Sequence, residues 1–186
     1  MTLRRVAPAL LAGGLLWVAA ASGAQAQDDG WPHTEAEKKA QPNAASQGNF
    51  AVAQISTNDA QKLMADWETV TPVVQLVSST RTVRNKPIVT FIVFKGCQAD
   101  AAGNCNVTVD FDTFDPSGKD YDHTKAAKVW VGRLAAPNLS LQLSEAGYGL
   151  VFEDKDPVGA YRVVATVTDH QSGVSLRTEQ VLTVSP

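Results

Sequence analysis

Acidic side chains are the residues of this sequence best placed for chemistry, because they gather in two clusters at strand ends and loops. Ca²⁺ takes about six to eight oxygen ligands and often finds them on loop carboxylates. Either cluster is therefore a candidate calcium site, although neither has the residue order of an EF-hand loop. Solvated charge that discourages aggregation at a strand edge is the simpler interpretation. The candidate ligands are Asp110, Asp112 and Asp115 in the first cluster and Glu153, Asp154 and Asp156 in the second.

Other catalytic chemistry has little support in the sequence. The chain has three histidines; one precedes the predicted domain and another falls in a predicted turn, so we expect no three-histidine metal site. We find no G-x-S-x-G elbow, no H-E-x-x-H pair and no P-loop. A Ser-His-Asp triad needs only spatial proximity, so that alternative stays open. We assign no catalytic residue and no cofactor, and we favour a protein that is not an enzyme.

The two cysteines, Cys97 and Cys105, predict a disulfide. In an exported protein such a pair is most simply oxidised. The alternative is a redox-active pair, but the spacing is not the C-x-x-C arrangement of reactive thiols. The flanking runs Ile88–Phe94 and Asn106–Asp112 are rich in Val, Ile and Phe, so we expect a hairpin with the cysteines at its two bases. A ring of about nine residues stabilises the fold by roughly 2–3 kcal/mol in the chain-entropy model.

Residues 1–26 indicate export. Arg4 and Arg5 form a positive start, an apolar stretch follows, and Ala24-Gln25-Ala26 matches an A-x-A cleavage site. An uncleaved anchor is the alternative, but Pro and Gly interrupt the apolar stretch, which is shorter than the roughly 20 residues of a spanning helix. We expect a cleaved signal peptide and a bacterial periplasmic or secreted protein with no later membrane span. The general secretory and twin-arginine routes both stay open.

The rest of the chain divides into a linker and one domain. Residues 27–48 are rich in Ala, Gln and charged side chains, a composition that predicts a flexible linker. In residues 49–186, short runs of Val, Thr and Phe alternate with turn residues. Several short strands separated by turns are typical of a β-sandwich or barrel.

One short helix is predicted near the start of this domain. Ala60–Glu68 has apolar residues at helical spacing and follows residues that favour a helix N-terminus. The strand Ile88–Phe94 is apolar on both faces, so its outer face needs a cover. We expect Leu63 and Trp67 to pack on that face. The alternative is that these two side chains and Met64 form a surface patch for a partner.

Two later segments predict further strands. Leu139, Leu141 and Leu143 alternate with polar residues and predict a half-buried strand. The final hairpin, with Ala160–Thr168 as its first strand, has the clearest alternation. In its second strand, the alternation of apolar and polar residues is interrupted near Gln180-Val181. This interruption predicts a bulge or a shifted register.

The segment from Asp156 to Val163 resembles the tyrosine corner of immunoglobulin-like sandwiches. In that motif a Tyr near the start of a strand bonds through its hydroxyl to upstream backbone. The resemblance assigns this role to Tyr161, with Asp156 and Gly159 in the preceding turn. The expected fold class is all-β: an immunoglobulin-like β-sandwich of about seven strands with one short N-terminal helix.

Two longer stretches extend the resemblance. They read G-C-x7-C-x-V-x-V-D-F, ending at Phe111, and D-P-x-G-x-Y-x-V-x-A-x-V-x-D, from Asp156 to Asp169. Together they resemble a group of uncharacterised exported proteins of proteobacteria. The resemblance covers most of Phe50–Val184 and implies one periplasmic domain, but it carries over no activity and no functional residue.

Charge and fold class together favour a binding function. The chain has 16 Lys and Arg against 19 Asp and Glu, a net charge of −3, which gives no electrostatic footprint for nucleic acid. We expect a non-catalytic binding module for an unknown envelope protein. The alternatives are an envelope hydrolase or metal-dependent enzyme using loop carboxylates, and a calcium- or glycan-binding accessory domain.

Overall fold

The computed structural model describes residues 30–69 and 78–186, so the predicted signal peptide lies outside the described residues. Strands dominate this part of the chain, and two short α-helices and one 3-10 turn accompany them. In chain order the elements are α1 (Glu35–Ala40), β1 (Ala44–Gln47), β2 (Phe50–Thr57), α2 (Ala60–Glu68), β3 (Arg81–Val83), β4 (Pro87–Lys95), β5 (Asn104–Phe114), β6 (Asp120–Leu134), the 3-10 turn (Pro137–Leu139), β7 (Gln142–Leu143), β8 (Tyr148–Val151), β9 (Gly159–Asp169) and β10 (Val174–Ser185).

The strands form two five-stranded sheets. The first has the order β1-β2-β4, and both β7 and β8 pair with the remaining edge of β4; the second has the order β3-β10-β9-β5-β6. Among the described residues, neighbouring strands pair antiparallel except β3 and β10, which are parallel. This arrangement confirms an all-β sandwich. The described residues contain ten strands rather than about seven, mainly because short edge strands join both sheets.

The core lies between the sheets and follows from period-2 alternation. Most inward positions of β5 and β9 are apolar and buried, while the intervening positions point outward. Because each buried Val, Leu or Phe contributes roughly 1.5–3 kcal/mol, this layer is the main source of stability. Its buried residues from β4, β5 and β9 are Ile88, Ile92, Phe94, Cys105, Val107, Val109, Phe111, Tyr161, Val163, Ala165 and Val167.

Helix α2 covers the other face of β4, as predicted. Asp59 caps the helix, its carboxylate accepting a hydrogen bond from the amide of Lys62 at 2.9 Å. Leu63 is buried with Phe91 and Val93 of β4, and Trp67 packs partly against the same cluster. The apolar run of β4 is therefore explained by burial on both sides.

No helix in residues 30–69 and 78–186 is long and apolar enough to cross a membrane.

The disulfide is confirmed, but the hairpin around it is wrong. Cys97 and Cys105 are bonded, with Cα atoms 6.0 Å apart. However, β4 belongs to the first sheet and β5 to the second. Both edges of β4 are already paired, so the chain crosses between layers instead of turning back beside β4. The disulfide therefore closes the connection between the two sheets.

Much of the predicted linker has regular structure. Thr34 and Glu37 cap α1 reciprocally, the Thr34 hydroxyl accepting from the Glu37 amide and the Glu37 carboxylate accepting from the Thr34 amide. Strand β1 then pairs with β2, and its Ala44, Ala45 and Ser46 side chains are buried. Residues 44–47 are thus part of the sandwich. Small side chains gave this strand a weak hydrophobic signal, because Ala and Ser bury little apolar area.

The expected bulge in β10 is wrong. Its pairing with β9 runs without a register shift from Val174 to Val184. Gln180 keeps its inward direction, since its side-chain oxygen accepts a hydrogen bond from the buried Ser56 hydroxyl at 2.5 Å. Val181 is simply on the outer face and exposed. The alternation of apolar and polar residues is interrupted because a polar side chain occupies this inward position. The backbone itself is regular.

The predicted strand with Leu139, Leu141 and Leu143 is mostly wrong. Only Gln142–Leu143 forms a strand, and of the three leucines only Leu143 is buried. The preceding residues form the 3-10 turn, in which both Asn138 and Leu139 have positive φ. A turn of this kind does not place alternate side chains on one face, so Leu139 and Leu141 are left exposed.

Candidate binding groove

A groove of about 390 Å³ lies where α2 meets the end of β6 and strand β7. Two indole rings, a thioether and a guanidinium group line it together with polar side chains. The lining residues are Met64, Trp67 and Glu68 of α2, Trp130 and Arg133 of β6, and Gln142, Leu143, Ser144 and Glu145 of the β7 segment.

Helix α2 forms the first wall. Met64 and Trp67 are three residues apart and therefore lie on one side of the helix. Leu63 anchors the helix in the cluster on β4, and Trp67 packs against that cluster while remaining half-buried. Met64 is 40% exposed. The helix therefore presents a fixed indole and a flexible thioether to the groove.

Strand β6 forms the opposite wall through Trp130. The indole packs edge-on against Phe94, with ring centroids 5.6 Å apart, and its N–H donates to the Leu134 carbonyl at 3.0 Å. The Arg133 guanidinium lies 4.0 Å from the centre of the Trp130 ring and pairs with the Glu145 carboxylate at 2.9 Å. Stacking and ion pairing together hold the guanidinium in place.

The Ser144–Glu145 segment closes the floor between the two sheets. The Glu145 amide donates to the Val129 carbonyl of β6 at 3.2 Å. The Ser144 hydroxyl accepts from the Ile92 amide of β4 at 3.1 Å. The floor of the groove is thus hydrogen-bonded to both layers. Arg133 and Glu145 offset each other in charge, and Glu68 adds a carboxylate with no hydrogen bond or ion pair among the described residues.

Sequence reasoning found half of this groove. The sequence predicted that Trp67 packs on β4, and it placed Met64 and Trp67 on a partner-binding surface only as the alternative. The structure shows Trp67 both packed on β4 and lining the groove. Trp130 and Arg133 were missed as site residues. The available signal was the W-V-G-R sequence, because a Gly inside a strand often marks a bulge. The pairing of β5 with β6 does shift register there, between Val131 and Arg133.

The tyrosine-corner residues lie at the opposite end of β6. The Tyr161 hydroxyl donates to the Pro157 carbonyl at 2.8 Å, the bond expected from the sequence resemblance. Gly159 has a φ of +139°, and a Cβ there would press on the Pro116 ring at 3.0 Å. Tyr161 packs against Phe152 and Tyr121 at centroid distances of 4.4 and 5.0 Å.

Asp156 ties this corner together. Its carboxylate accepts from the Tyr121 hydroxyl and from the Glu153 amide, each at 2.7 Å, and its carbonyl accepts from the Arg84 guanidinium. Burial alone raises the pKa of Asp156, but the hydrogen bonds from Tyr121 and Glu153 outweigh it and hold the pKa below its usual value. Burial, the Asp156 hydrogen bond and its charge raise the pKa of Tyr121.

The first acidic cluster is engaged by neighbouring groups. Asp112 and Asp110 face the ammonium of Lys125, at 2.8 and 3.7 Å. Asp115 closes the turn after β5, accepting from the hydroxyl and amide of Ser117, and these bonds lower the pKa of its carboxyl. The cluster therefore organises a hairpin and its turn.

The second acidic cluster divides among separate partners. Glu153 pairs with Lys155 at 2.6 Å, Asp154 accepts from the Asn85 amide group at 2.8 Å, and Asp156 belongs to the corner. Across residues 30–69 and 78–186, no three His, Cys, Asp or Glu side chains converge as a metal site. The geometry gives neither cluster a set of oxygens aimed at one point.

The fold and groove define a disulfide-closed, two-layer β-sandwich with an aromatic groove on one side. No known family model matches the chain, and no curated protein matches it. Among solved structures, the chain is similar to a family 123 glycoside hydrolase from Clostridium perfringens, from a study of glycolipid glycan hydrolysis, with 10% sequence identity and a TM-score of 0.37. The similarity covers 72% of this chain and 27% of that chain, so this chain spans only a small part of the enzyme.

Proposed function

We propose that this protein is an exported, non-catalytic binding module that holds a peptide segment of an envelope protein in the groove between α2 and β6. The observation that carries the proposal is the meeting of Met64, Trp67, Trp130 and Arg133 in one concave site. Trp, Met and Arg are the residue types enriched in protein interfaces, and Trp and Arg dominate their binding energy. The two indoles are fixed by packing, so binding costs little side-chain ordering.

A peptide fits this groove better than a sugar does. Arg133 covers one face of the Trp130 ring and the Leu134 carbonyl takes its N–H, so the indole is a wall and not an open stacking platform. Leu134 and Leu141, next in sequence to lining residues, are 68% and 47% exposed and extend the apolar surface. An amphipathic peptide covers such a surface.

Charge narrows the class of peptide further. Arg133 is balanced by Glu145, whereas the Glu68 carboxylate at the rim has no ion pair in the described part of the chain. The occupant we propose therefore has an apolar anchor residue beside a basic residue. The anchor lies between the indoles and the basic side chain lies near Glu68.

Two further features support the exported part of the proposal. The disulfide fits an oxidising compartment. The sequence of residues 1–26 has the pattern of a cleaved export signal.

Selection of displayed random peptides on the immobilised protein tests the proposal. We expect enrichment of sequences with an aromatic or aliphatic residue next to Lys or Arg. Selected peptides should bind Met64→Glu at least about tenfold more weakly, because a carboxylate in the groove must be desolvated. Gln61→Glu adds the same charge to an exposed position of α2 outside the groove, and affinity should be unchanged.

A second variant tests the predicted contact between Glu68 and a basic residue of the peptide. Glu68→Gln should weaken peptides with a basic residue and leave uncharged selected peptides unaffected. Peptides that bind wild type and Met64→Glu equally well, or the absence of any enriched sequence, would contradict the proposal. A glycan array that yields groove-dependent binding while the peptide library yields none would favour the glycan-binding alternative instead.

A further inference from the structure

A second concave site lies on the far edge of the sandwich, beside the turn that joins β3 to β4. This pocket has a volume of about 320 Å³. Its lining includes two cationic side chains, Arg81 and Lys86, and two apolar ones, Val83 and Pro87. No acidic residue lines it in the part of the chain that the structure describes. It shares no residue with the groove between α2 and β6.

The backbone around the pocket is firmly held. Strand β3 pairs in parallel with the end of β10, placing Arg81 beside Thr183 and Val83 beside Ser185. The turn then brings Lys86 back, since its amide donates to the Val83 carbonyl at 3.3 Å. The two cations are therefore positioned by a sheet edge and a closed turn.

Hydrogen bonds between this region and other parts of the fold add to this support. Asn58 donates from its side-chain amide to the Arg81 carbonyl at 2.9 Å. The amides of Arg84 and Asn85 donate to the carbonyls of Ser185 and Phe152, at 3.1 and 2.8 Å. A site held by such bonds needs little reorganisation when a ligand binds.

Arg81 and Lys86 also differ from most cations in the part of the chain that the structure describes. Seven other basic side chains in the described residues form ion pairs with a carboxylate within 4 Å, and Arg84 is bonded to the Asp156 carbonyl. Neither Arg81 nor Lys86 has a side-chain hydrogen bond or ion pair among the described residues. Two uncompensated positive charges therefore share one pocket on a chain whose net charge is negative.

We propose that this pocket binds the phosphate group of an organic phosphate monoester. A phosphate monoester carries about −1.5 to −2 charges at neutral pH and several strong acceptor oxygens, which matches two cations better than a single carboxylate does. The planar guanidinium of Arg81 binds two phosphate oxygens, and Lys86 supplies a point charge. Val83, which is 42% exposed, and Pro87 contact the carbon part of the ligand. The same chemistry occurs on a small organic phosphate and on a lipid headgroup.

Titration of the purified protein with phenyl phosphate, followed by backbone NMR at constant ionic strength, tests the site. We expect shifts confined to the residues around the β3–β4 turn and the end of β10, with a Kd of about 1 mM or lower. Benzoate has the same ring with one charge and should bind at least about threefold more weakly. Vesicles of phosphatidylcholine with and without phosphatidic acid test the lipid source of the phosphate.

Two variants and a control decide the outcome. Arg81→Gln and Lys86→Gln should each raise the Kd for phenyl phosphate about tenfold, and the double variant should abolish binding. Lys128→Gln removes an exposed cation elsewhere on β6 and should leave the Kd unchanged. Shifts spread evenly over the surface, equal affinity for benzoate, or unchanged binding by the folded double variant would overturn the proposal. Variant-sensitive binding to phosphatidic acid vesicles would support a lipid headgroup, and binding only to phenyl phosphate would support a small molecule.

Discussion

Strand β6 contributes an aromatic ring to each of two clusters, and the two clusters are built differently. Near its start, Tyr121 packs on Phe152 and Tyr161, which have no exposed surface. Near its end, Trp130 faces Trp67 across the groove, and both indoles are only half-buried. The corner has satisfied its hydroxyl groups internally, whereas the groove leaves ring and thioether surface exposed to solvent.

This difference in burial predicts that substitutions in the two clusters have different effects. A buried aromatic ring with a bonded polar group contributes to folding, since its area is removed from water and its polar group is paired. A half-buried ring in a concave site leaves part of its apolar area exposed, and a partner can bury that area. We therefore expect substitutions in the corner to lower the free energy of unfolding, and substitutions in the groove to change affinity more than stability.

The largest effect should come from Phe152→Ala. This ring is fully buried between Tyr121 and Tyr161, so its removal should cost roughly 3–5 kcal/mol of unfolding free energy. Met64→Ala in the groove should cost less than about 1 kcal/mol, because the thioether is partly exposed and Ala favours a helix. Urea unfolding followed by circular dichroism measures both. Similar losses for the two variants would break the distinction between the clusters.

Asp156→Ala should have the next largest effect on stability. The substitution leaves the Tyr121 hydroxyl and the Glu153 amide without their acceptor, at a cost of roughly 2–3 kcal/mol. Asp156→Asn is the matched variant, because an amide oxygen can still accept both bonds while the charge is lost. Thermal melting at neutral pH should rank wild type above Asn and Asn above Ala. An Asn variant less stable than Ala would contradict this interpretation.

The same carboxylate predicts a pH dependence. Because the folded-state pKa of Asp156 is lowered, its ionised form stabilises the fold above the unfolded pKa of about 3.9. That stabilisation is lost as the pH falls through the lower, folded-state pKa. The difference in melting temperature between wild type and Asp156→Asn should therefore be full at pH 7 and shrink below about pH 4. A difference that stays constant into acid would assign the effect to packing instead of charge.

Tyr161→Phe should have a smaller effect. It keeps the ring against Phe152 and removes only the bond to the Pro157 carbonyl, which is worth about 1 kcal/mol. Peptide binding in the groove should be unchanged, since the corner and the groove lie near opposite ends of β6. Chemical unfolding measures the loss. A loss as large as that of Phe152→Ala would mean that the hydroxyl, and not the ring, holds the corner.

Local patterns predicted the elements whose hydrophobicity follows their geometry. The alternation of β5 and β9 and the two apolar faces of β4 indicated strands and a covering helix, and Leu63 is buried where expected. The cysteine pair was also predictable, because a chain with two nearby cysteines has only one possible pairing between them. In each case a few neighbouring residues contain the whole signal.

Features set by distant partners could not be predicted in this way. The crossing from β4 to β5 depends on which strands occupy the edges of β4. The inward position of Gln180 depends on Ser56, far away in sequence. The groove needs Trp67 and Trp130 together, and only the packing of α2 on β4 brings them near each other. Sequence periodicity says which face a residue occupies but not what lies opposite it.

The ion pair between Arg133 and Glu145 should have the smallest effect on stability and a clear effect on peptide binding. The guanidinium is 50% exposed, so solvent screening limits its coupling to Glu145 to about 0.5 kcal/mol. A double-mutant cycle with Arg133→Gln and Glu145→Gln, measured by urea unfolding, gives this coupling energy. In the groove, however, the guanidinium completes the wall made by Trp130, so Arg133→Gln should weaken selected peptides about tenfold. A coupling energy above about 2 kcal/mol with unchanged peptide affinity would show that this ion pair stabilises the fold, as the corner does. It would then contradict the proposal that the groove is a binding site.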